Sequence, residues 1–198
     1  MAIKRFSSSN LSGGKSSKLW DQTTTPGYYE SIATVVIDAS GATDITFSNI
    51  PQTYTHLQLR LTTRGKTVGL TGACVHRLKF NGDSGANYTY HQLRGNGTGA
   101  GAESGSSLSA GCTIGYYPAG GETANTFGAI VCDILDYTNT SKYKVTRALD
   151  GWDGNGSGYS SLNSGLWMSS SAITSIFITC DDGVGQYSTV ALYGIRGE

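Results

Sequence analysis

The chain has 198 residues, 14 Lys and Arg against 14 Asp and Glu, a formal net charge of zero and only 14% charged residues. So little charge, evenly divided, gives no field to draw the chain to nucleic acid or to an anionic membrane, and no run of about 18 apolar residues exists to form a membrane-spanning helix. The 28 glycines, roughly twice the average share, suit a fold of short strands joined by many turns.

Residues 1–29 read as a separate segment, an extended arm preceding a domain at 30–198. The arm is rich in Ser and Gly, carries Lys4, Arg5, Lys15 and Lys18 against Asp21 alone, and shows neither helical nor strand periodicity. Its basic residues precede no apolar core of the kind a secretory signal needs. Phe6, Leu19 and Trp20 are spaced like anchors for a neighbouring surface, since buried aromatics carry much of the energy of interfaces. The expected partner-binding set is therefore Lys4, Arg5, Phe6, Lys15, Lys18, Leu19 and Trp20.

Strand signals follow at regular spacing over residues 31–37 and 43–48. Residues 54–63 alternate most cleanly, with Leu57, Leu59 and Leu61 on one face and His56, Gln58 and Arg60 on the other. Residues 74–80 and 88–93 come next, separated by an Asn-Gly-rich turn. Residues 95–109, GNGTGAGAESGSSLS, are low in complexity and read as a flexible rim loop. A strand at 112–117 leads to a hairpin, 127–137 and 143–149, joined by a polar loop. After a Gly-rich turn region at 151–158, short strands are expected at 165–169, 173–180 and 188–196. No segment sustains helical periodicity. About ten short strands with Gly-rich turns predict an all-β fold, an antiparallel β-sandwich with jelly-roll topology.

The strand at 127–137 is apolar on both sides: Ala129, Val131 and Leu135 lie on one face, Ile130, Cys132 and Ile134 on the other. A sandwich strand normally gives one face to water, so this one calls for cover by the arm or by another subunit. Phe127, Ile130 and Ile134 are the candidate oligomer face.

Signs of catalysis are few. The nucleophile-elbow, zinc-protease, phosphate-loop and dinucleotide motifs are absent. His56, His76 and His91 lie apart and read as hydrogen-bonded structural residues, and Asp133 and Asp136 point to opposite faces of one strand. Cys74, Cys112, Cys132 and Cys180 sit in apolar strand contexts without close pairing and read as buried thiols. Asp153, Asn155 and Ser157, with Asp150 nearby, echo a calcium-loop spacing. They lack its closing Glu, and Asp and Asn in Gly-rich turns usually serve the backbone. No catalytic residue, metal site or cofactor is expected. The five N-x-S/T sites follow from composition. Trp152 and the tyrosines beside Gly-rich loops could offer stacking faces to a sugar, but serve equally as core.

The segments SGGKSSKLWDQTTTPGYYESIATV, IPQTYTHLQLRLTTR, RLKFNGDSGANYTYHQLRGNG, FGAIVCDILDYTNTSKYKVTRALDG, SGLWMSSSAITSIFI and QYSTVALYGIRG resemble small virion structural proteins of tailed bacteriophages, particularly phages of aquatic bacteria. The resemblance spans nearly the whole chain. It implies a β-sandwich on the particle surface, as a capsid decoration (cement) protein or in a tail fibre, with no catalytic residues. The expectation is a non-enzymatic virion protein bound to the major capsid protein through its arm and to itself, as a homotrimer, with neither nucleic acid nor membrane as partner. The alternative is a receptor-binding module whose loops touch host glycans.

Overall fold

The computed structural model describes residues 28–197, and within them every regular element is a strand. In chain order these are β1 (Tyr29–Val36), β2 (Ala42–Phe47), β3 (His56–Thr63), β4 (Ala73–Phe80), β5 (Tyr88–Gly95), β6 (Ala100–Leu108), β7 (Cys112–Pro118), β8 (Gly128–Leu135), β9 (Lys144–Asp153), β10 (Gly158–Trp167), β11 (Ile176–Val184) and β12 (Thr189–Ile195). They form two antiparallel sheets, one of eight strands in the order β1-β12-β3-β8-β9-β10-β5-β6 and one of four in the order β2-β11-β4-β7. No helix among the described residues is long and apolar enough to cross a membrane.

The all-β, two-sheet expectation matches this architecture. The core follows from period-2 alternation: Leu57, Leu59 and Leu61 of β3, Ile130, Cys132 and Ile134 of β8, and Val190 and Leu192 of β12 point inward from the larger sheet. They meet Ile45 and Phe47 of β2, Leu78 and Phe80 of β4, and Ile176 and Ile178 of β11. Ile130 is 1% and Ile134 0% exposed, which corrects their assignment to an oligomer face. Both faces of that strand are apolar, so alternation alone could not say which faced inward; pairing with β3 seats Ile130 beside Leu61 and Ile134 beside Leu57. The outward face is Val131 and Leu135. Phe127 lies just before the strand, half-buried at the rim.

The stretch expected as a loop at 95–109 is largely strand. β6 pairs with β5 from Gly95↔Ala100 to Tyr88↔Leu108. An edge strand draws its hydrogen bonds from one neighbour and needs no apolar face, so a Gly- and Ser-rich sequence can fill it. β9 and β10 likewise extend into the expected turn region and pair over their whole length, from Lys144↔Trp167 to Asp153↔Gly158.

The smaller sheet covers only part of the larger one. Its edge strand β7 packs over β8, β9 and β10, and all seven β7 residues are buried. A buried edge leaves backbone groups without sheet partners, and those groups must be satisfied some other way. Lys4, Arg5, Phe6, Lys15, Lys18, Leu19 and Trp20 lie outside the described residues.

Candidate docking face

The demand made by the β7 edge is met by the inner face of β9, β10 and β5, which is polar where a core should be apolar. Asp150, Ser161, Asn163 and Gln92 are each at most 3% exposed. The Tyr116 N–H donates to Asp150 Oδ2 at 3.0 Å and Asn163 Nδ2 donates to Asp150 Oδ1 at 2.9 Å. The Ser161 hydroxyl also donates to Oδ1. Gln92 Nε2 donates to Asn163 Oδ1 at 2.6 Å and its Oε1 accepts from the Tyr116 hydroxyl at 2.9 Å. Arg94 Nη1 reaches the same hydroxyl at 3.1 Å and pairs with Glu103 at the surface. Burial raises the Asp150 carboxyl above its usual range, with its three donors acting against the shift. The approach is close enough to require glycine at two places: a Cβ on Gly115, at φ +153, would lie 2.6 Å from Asp150 Cβ, and one on Gly165 would lie 2.4 Å from Thr146 Oγ1.

Strands that spend polar residues on the inside carry apolar ones outside. In β9 the buried positions are Lys144, Thr146, Ala148, Asp150 and Trp152, while Val145, Arg147 and Leu149 face out. β10 buries Ser161 and Asn163 and exposes Leu162; β5 buries Gln92 and exposes Leu93. Pairing aligns these outward residues. Val131 is opposite Leu149, Leu149 opposite Leu162, Leu162 opposite Leu93 and Leu93 opposite Ala102, one row across five strands. A second row runs Leu135–Val145–Leu166. Between them lies a polar row, Asp133–Arg147–Ser164–His91–Ser104.

Leu149 is 62% and Leu93 61% exposed, and Val131, Leu135, Val145 and Leu162 are each about 40% exposed. Parts of both rows line a groove of about 660 Å³ with His91, Arg147 and Ser164 on its polar seam. Covering one such half-exposed side chain would contribute about 1 kcal/mol before the cost of association is met. At the other end of the same face, Tyr29 stacks on Tyr193 at 4.8 Å, and the Arg60 guanidinium lies over both rings at 5.4 and 5.6 Å. The Tyr29 hydroxyl donates to Gln58 Oε1 at 2.8 Å.

The remaining polar clusters are structural. Arg64 donates to the carbonyls of Gly120, Glu122, Thr123 and Thr126 and so secures the loop before β8. Lys144, with 0% exposure, donates to the carbonyls of Asn139, Lys142 and Ser170, and burial lowers its pKa. The four cysteines are buried and free, and burial pushes the thiols of Cys74 and Cys112 up to about 11 and Cys180 up to about 12; such thiols are poor nucleophiles. His56 takes the Asp136 N–H on Nδ1 at 2.9 Å, His76 is wholly buried, and His91 sits on the outer face.

The calcium-like turn at 153–157 serves the backbone, and so does the turn after β4. Asp153 Oδ1 accepts from the Asn155 N–H at 2.8 Å, and Asp150 is turned into the sandwich. Asp83 accepts from Trp167 Nε1, Asn87 Nδ2 and the Gly85 N–H, which hold its carboxyl below the usual range. Among the described residues no group of three His, Cys, Asp or Glu could hold a metal ion.

Of the sequence-predicted oligomer residues, only Phe127 lies outside the core. It lines a rim pocket of about 490 Å³ with Arg64, Lys66, Val68 and Tyr187. Leu149, Leu162 and Leu93 were not singled out from the sequence. Their signal was the inverted alternation of β9, legible in Val145, Leu149 and Asp150 once the strand is extended past residue 149. No protein-family model matches this chain, and neither curated proteins nor solved structures gave a match.

Proposed function

We propose that this chain is a non-enzymatic structural protein of a tailed-phage virion, a capsid decoration protein that binds and stabilises the major capsid protein shell from the particle surface. The observation that carries the docking role is the polarity inversion of β9, β10 and β5, which puts an aligned leucine and valine row in water. A face built that way is complementary to a protein surface, and exposed apolar patches of this kind mark interaction sites. The assignment to a virion rests on the sequence resemblance. Strand order supports the jelly-roll reading: with the hairpins β5–β6 and β9–β10 set aside, the remaining eight strands divide as β1-β12-β3-β8 and β2-β11-β4-β7, the order of two interleaved Greek keys.

In this reading the basic arm, with Phe6, Leu19 and Trp20 as anchors, reaches across shell subunits while the outer face of the larger sheet meets a neighbour. A homotrimer at threefold positions of the shell is the natural oligomer. Binding the assembled shell but not its dissociated subunits stabilises the particle by linkage. Quantitative mass spectrometry of purified virions tests this. A copy number comparable with that of the shell subunit supports decoration, a tail-like number moves the protein to a fibre, and absence from virions removes the reading.

One observation favours the second reading, a glycan-contacting receptor module. Tyr159 and Arg94 line a pocket of about 220 Å³ with Asn96 and Thr98, between two Gly-rich turns. Against it, the larger groove is floored by Leu and Val instead of the aromatic rings that stack on pyranose faces. Glycan-array binding that is lost in Tyr159→Ala would promote this reading.

A further inference from the structure

We infer that the outer face of the larger sheet docks on the same face of a second copy of this chain, about a two-fold axis that runs along the strands between β8 and β9. The inference deepens the reading above: it rests on the docking face and names its occupant.

Strand order and register carry it. The β8–β9 boundary divides the larger sheet in half, with β1-β12-β3-β8 on one side and β9-β10-β5-β6 on the other. A half-turn about a line lying in the face at that boundary, parallel to the strands, exchanges the two halves and keeps each position along the strands. Every outward residue of β8 then lands on the β9 residue of the second copy that it already pairs with in its own sheet. Asp133 is opposite Arg147, Val131 opposite Leu149 and Leu135 opposite Val145. Asp133 of each copy therefore meets Arg147 of the other, and the exposed apolar side chains on both sides of that pair meet apolar ones. One strand further out on the same row, Gln58 of β3 lands on Ser164 of β10, an amide on a hydroxyl.

Charge selects this axis over the other one available. A two-fold axis running across the strands along the polar row would set Asp133 on Asp133 and Arg147 on Arg147, and like charges brought together at an interface repel. The axis along the strands gives two ion pairs instead, so neither charge is buried alone. Both groups are open to such a partner. Arg147 is exposed and makes no hydrogen bond or ion pair among the described residues, and Asp133 accepts from Gln58 Nε2 on Oδ1 at 2.7 Å, leaving Oδ2 for another donor. The face is also large enough. The six strands from β12 to β5 span about 29 Å and three rows of side chains about 20 Å, so a pair of copies covers about 1,200 Å² in all, above the ~1,000 Å² expected of a specific interface. Face-packed sheets cross at about 30°, so the match is closest beside the axis, where the ion pairs lie. A two-fold contact does not itself build a trimer; on a shell it ties one trimer to the next.

Sedimentation velocity of the full-length chain with exchanged charges tests this. The wild type should self-associate as its concentration is raised to about 100 μM, where an interface of this size forms. Asp133→Arg and Arg147→Asp, each with an unchanged circular dichroism spectrum, should each weaken association at least tenfold, because both ion pairs become like-charge contacts. An equimolar mixture of the two variants should restore it, since a positive copy then faces a negative one. The double variant carrying both substitutions should associate alone, which guards against misfolding of either single variant. A wild type that stays monomeric over this range overturns the inference, and so do single variants that associate as the wild type does. A mixture that stays apart also overturns it, even where the double variant recovers, because the charge pair then acts only between neighbouring strands of one chain. The protein is measured alone, so no result here depends on the number of copies in virions, and the two proposals fail separately.

Discussion

His76 and Asp150 are buried titratable groups whose surroundings set opposite responses to acid. His76 has 0% exposure, stacks on Tyr117 at 4.0 Å and shares a 2.9 Å hydrogen bond between Nε2 and Thr63 Oγ1. Burial lowers its pKa from 6.5 to about 4. The unfolded chain therefore takes up a proton that the folded chain refuses, so stability is complete above about 6.5 and falls as the pH drops to about 4, by about 3 kcal/mol in all. Urea midpoints measured from neutral pH down to that value should show this slope in the wild type and a flatter one in His76→Gln, whose baseline is lower. Equal slopes would exclude His76 as the cause. Asp150 acts the other way: its folded pKa is raised, so its contribution improves as the pH falls through the folded value. Asp150→Asn keeps an acceptor oxygen for the Tyr116 N–H, turns its amide nitrogen toward the Ser161 hydroxyl, which can accept, and removes the buried charge; it should be more stable at neutral pH than an alanine at the same site. Asp150→Ala leaves the Tyr116 N–H unpaired and should cost about 2–3 kcal/mol; chemical denaturation of the two variants side by side gives the comparison.

At the scale of elements, one decision propagates through the sandwich. The smaller sheet ends at β7, the β7 edge needs side-chain partners, and β9, β10 and β5 supply them by turning polar residues inward and leucines outward. Gly165 is the narrow point, since an added Cβ would lie 2.4 Å from Thr146 Oγ1 and 2.8 Å from Cys112 Cβ. Gly165→Ala should destabilise by about 2–3 kcal/mol through overpacking, seen as a lowered melting temperature. Gly156→Ala, with nothing within 4 Å but φ +115, should cost less, as strain at a solvent-facing turn alone. The same decision explains what could be read from the sequence. β3 and β8 were legible because His-Leu-Gln-Leu-Arg-Leu alternates and Phe127 to Leu135 is strongly β-forming. β6 and most of β10 were not: AGAESGSSL and GYSSLNS have low strand propensity and owe their extended form to pairing with β5 and β9, a tertiary effect that propensity does not report. Without β10 in place, Leu162 has no face to belong to, and the row it completes cannot be seen.

For the whole molecule, the two-sheet sandwich follows from the spacing of short strands and Gly-rich turns, and the clean alternation of β3 marks its inward face. That 127–137 carries apolar residues on both faces was also legible. Which face was free was not, since that depends on register with β3. Val131 and Leu135 hold the outward place first given to Ile130 and Ile134. The surface of the larger sheet is the feature on which the proposed docking role rests, and its residues can be changed with little effect on the fold: Leu149→Lys, at a site 62% exposed, should alter folding stability by less than about 0.5 kcal/mol. The most direct test is the occupancy of particles assembled with Leu149→Lys, quantified by mass spectrometry beside the wild type and a control, Thr46→Lys, on the exposed face of the smaller sheet. Leu149→Lys should lose at least tenfold in occupancy, or about 1.4 kcal/mol of binding, and Thr46→Lys should lose none. Wild-type occupancy of the Leu149→Lys protein would contradict the docking role.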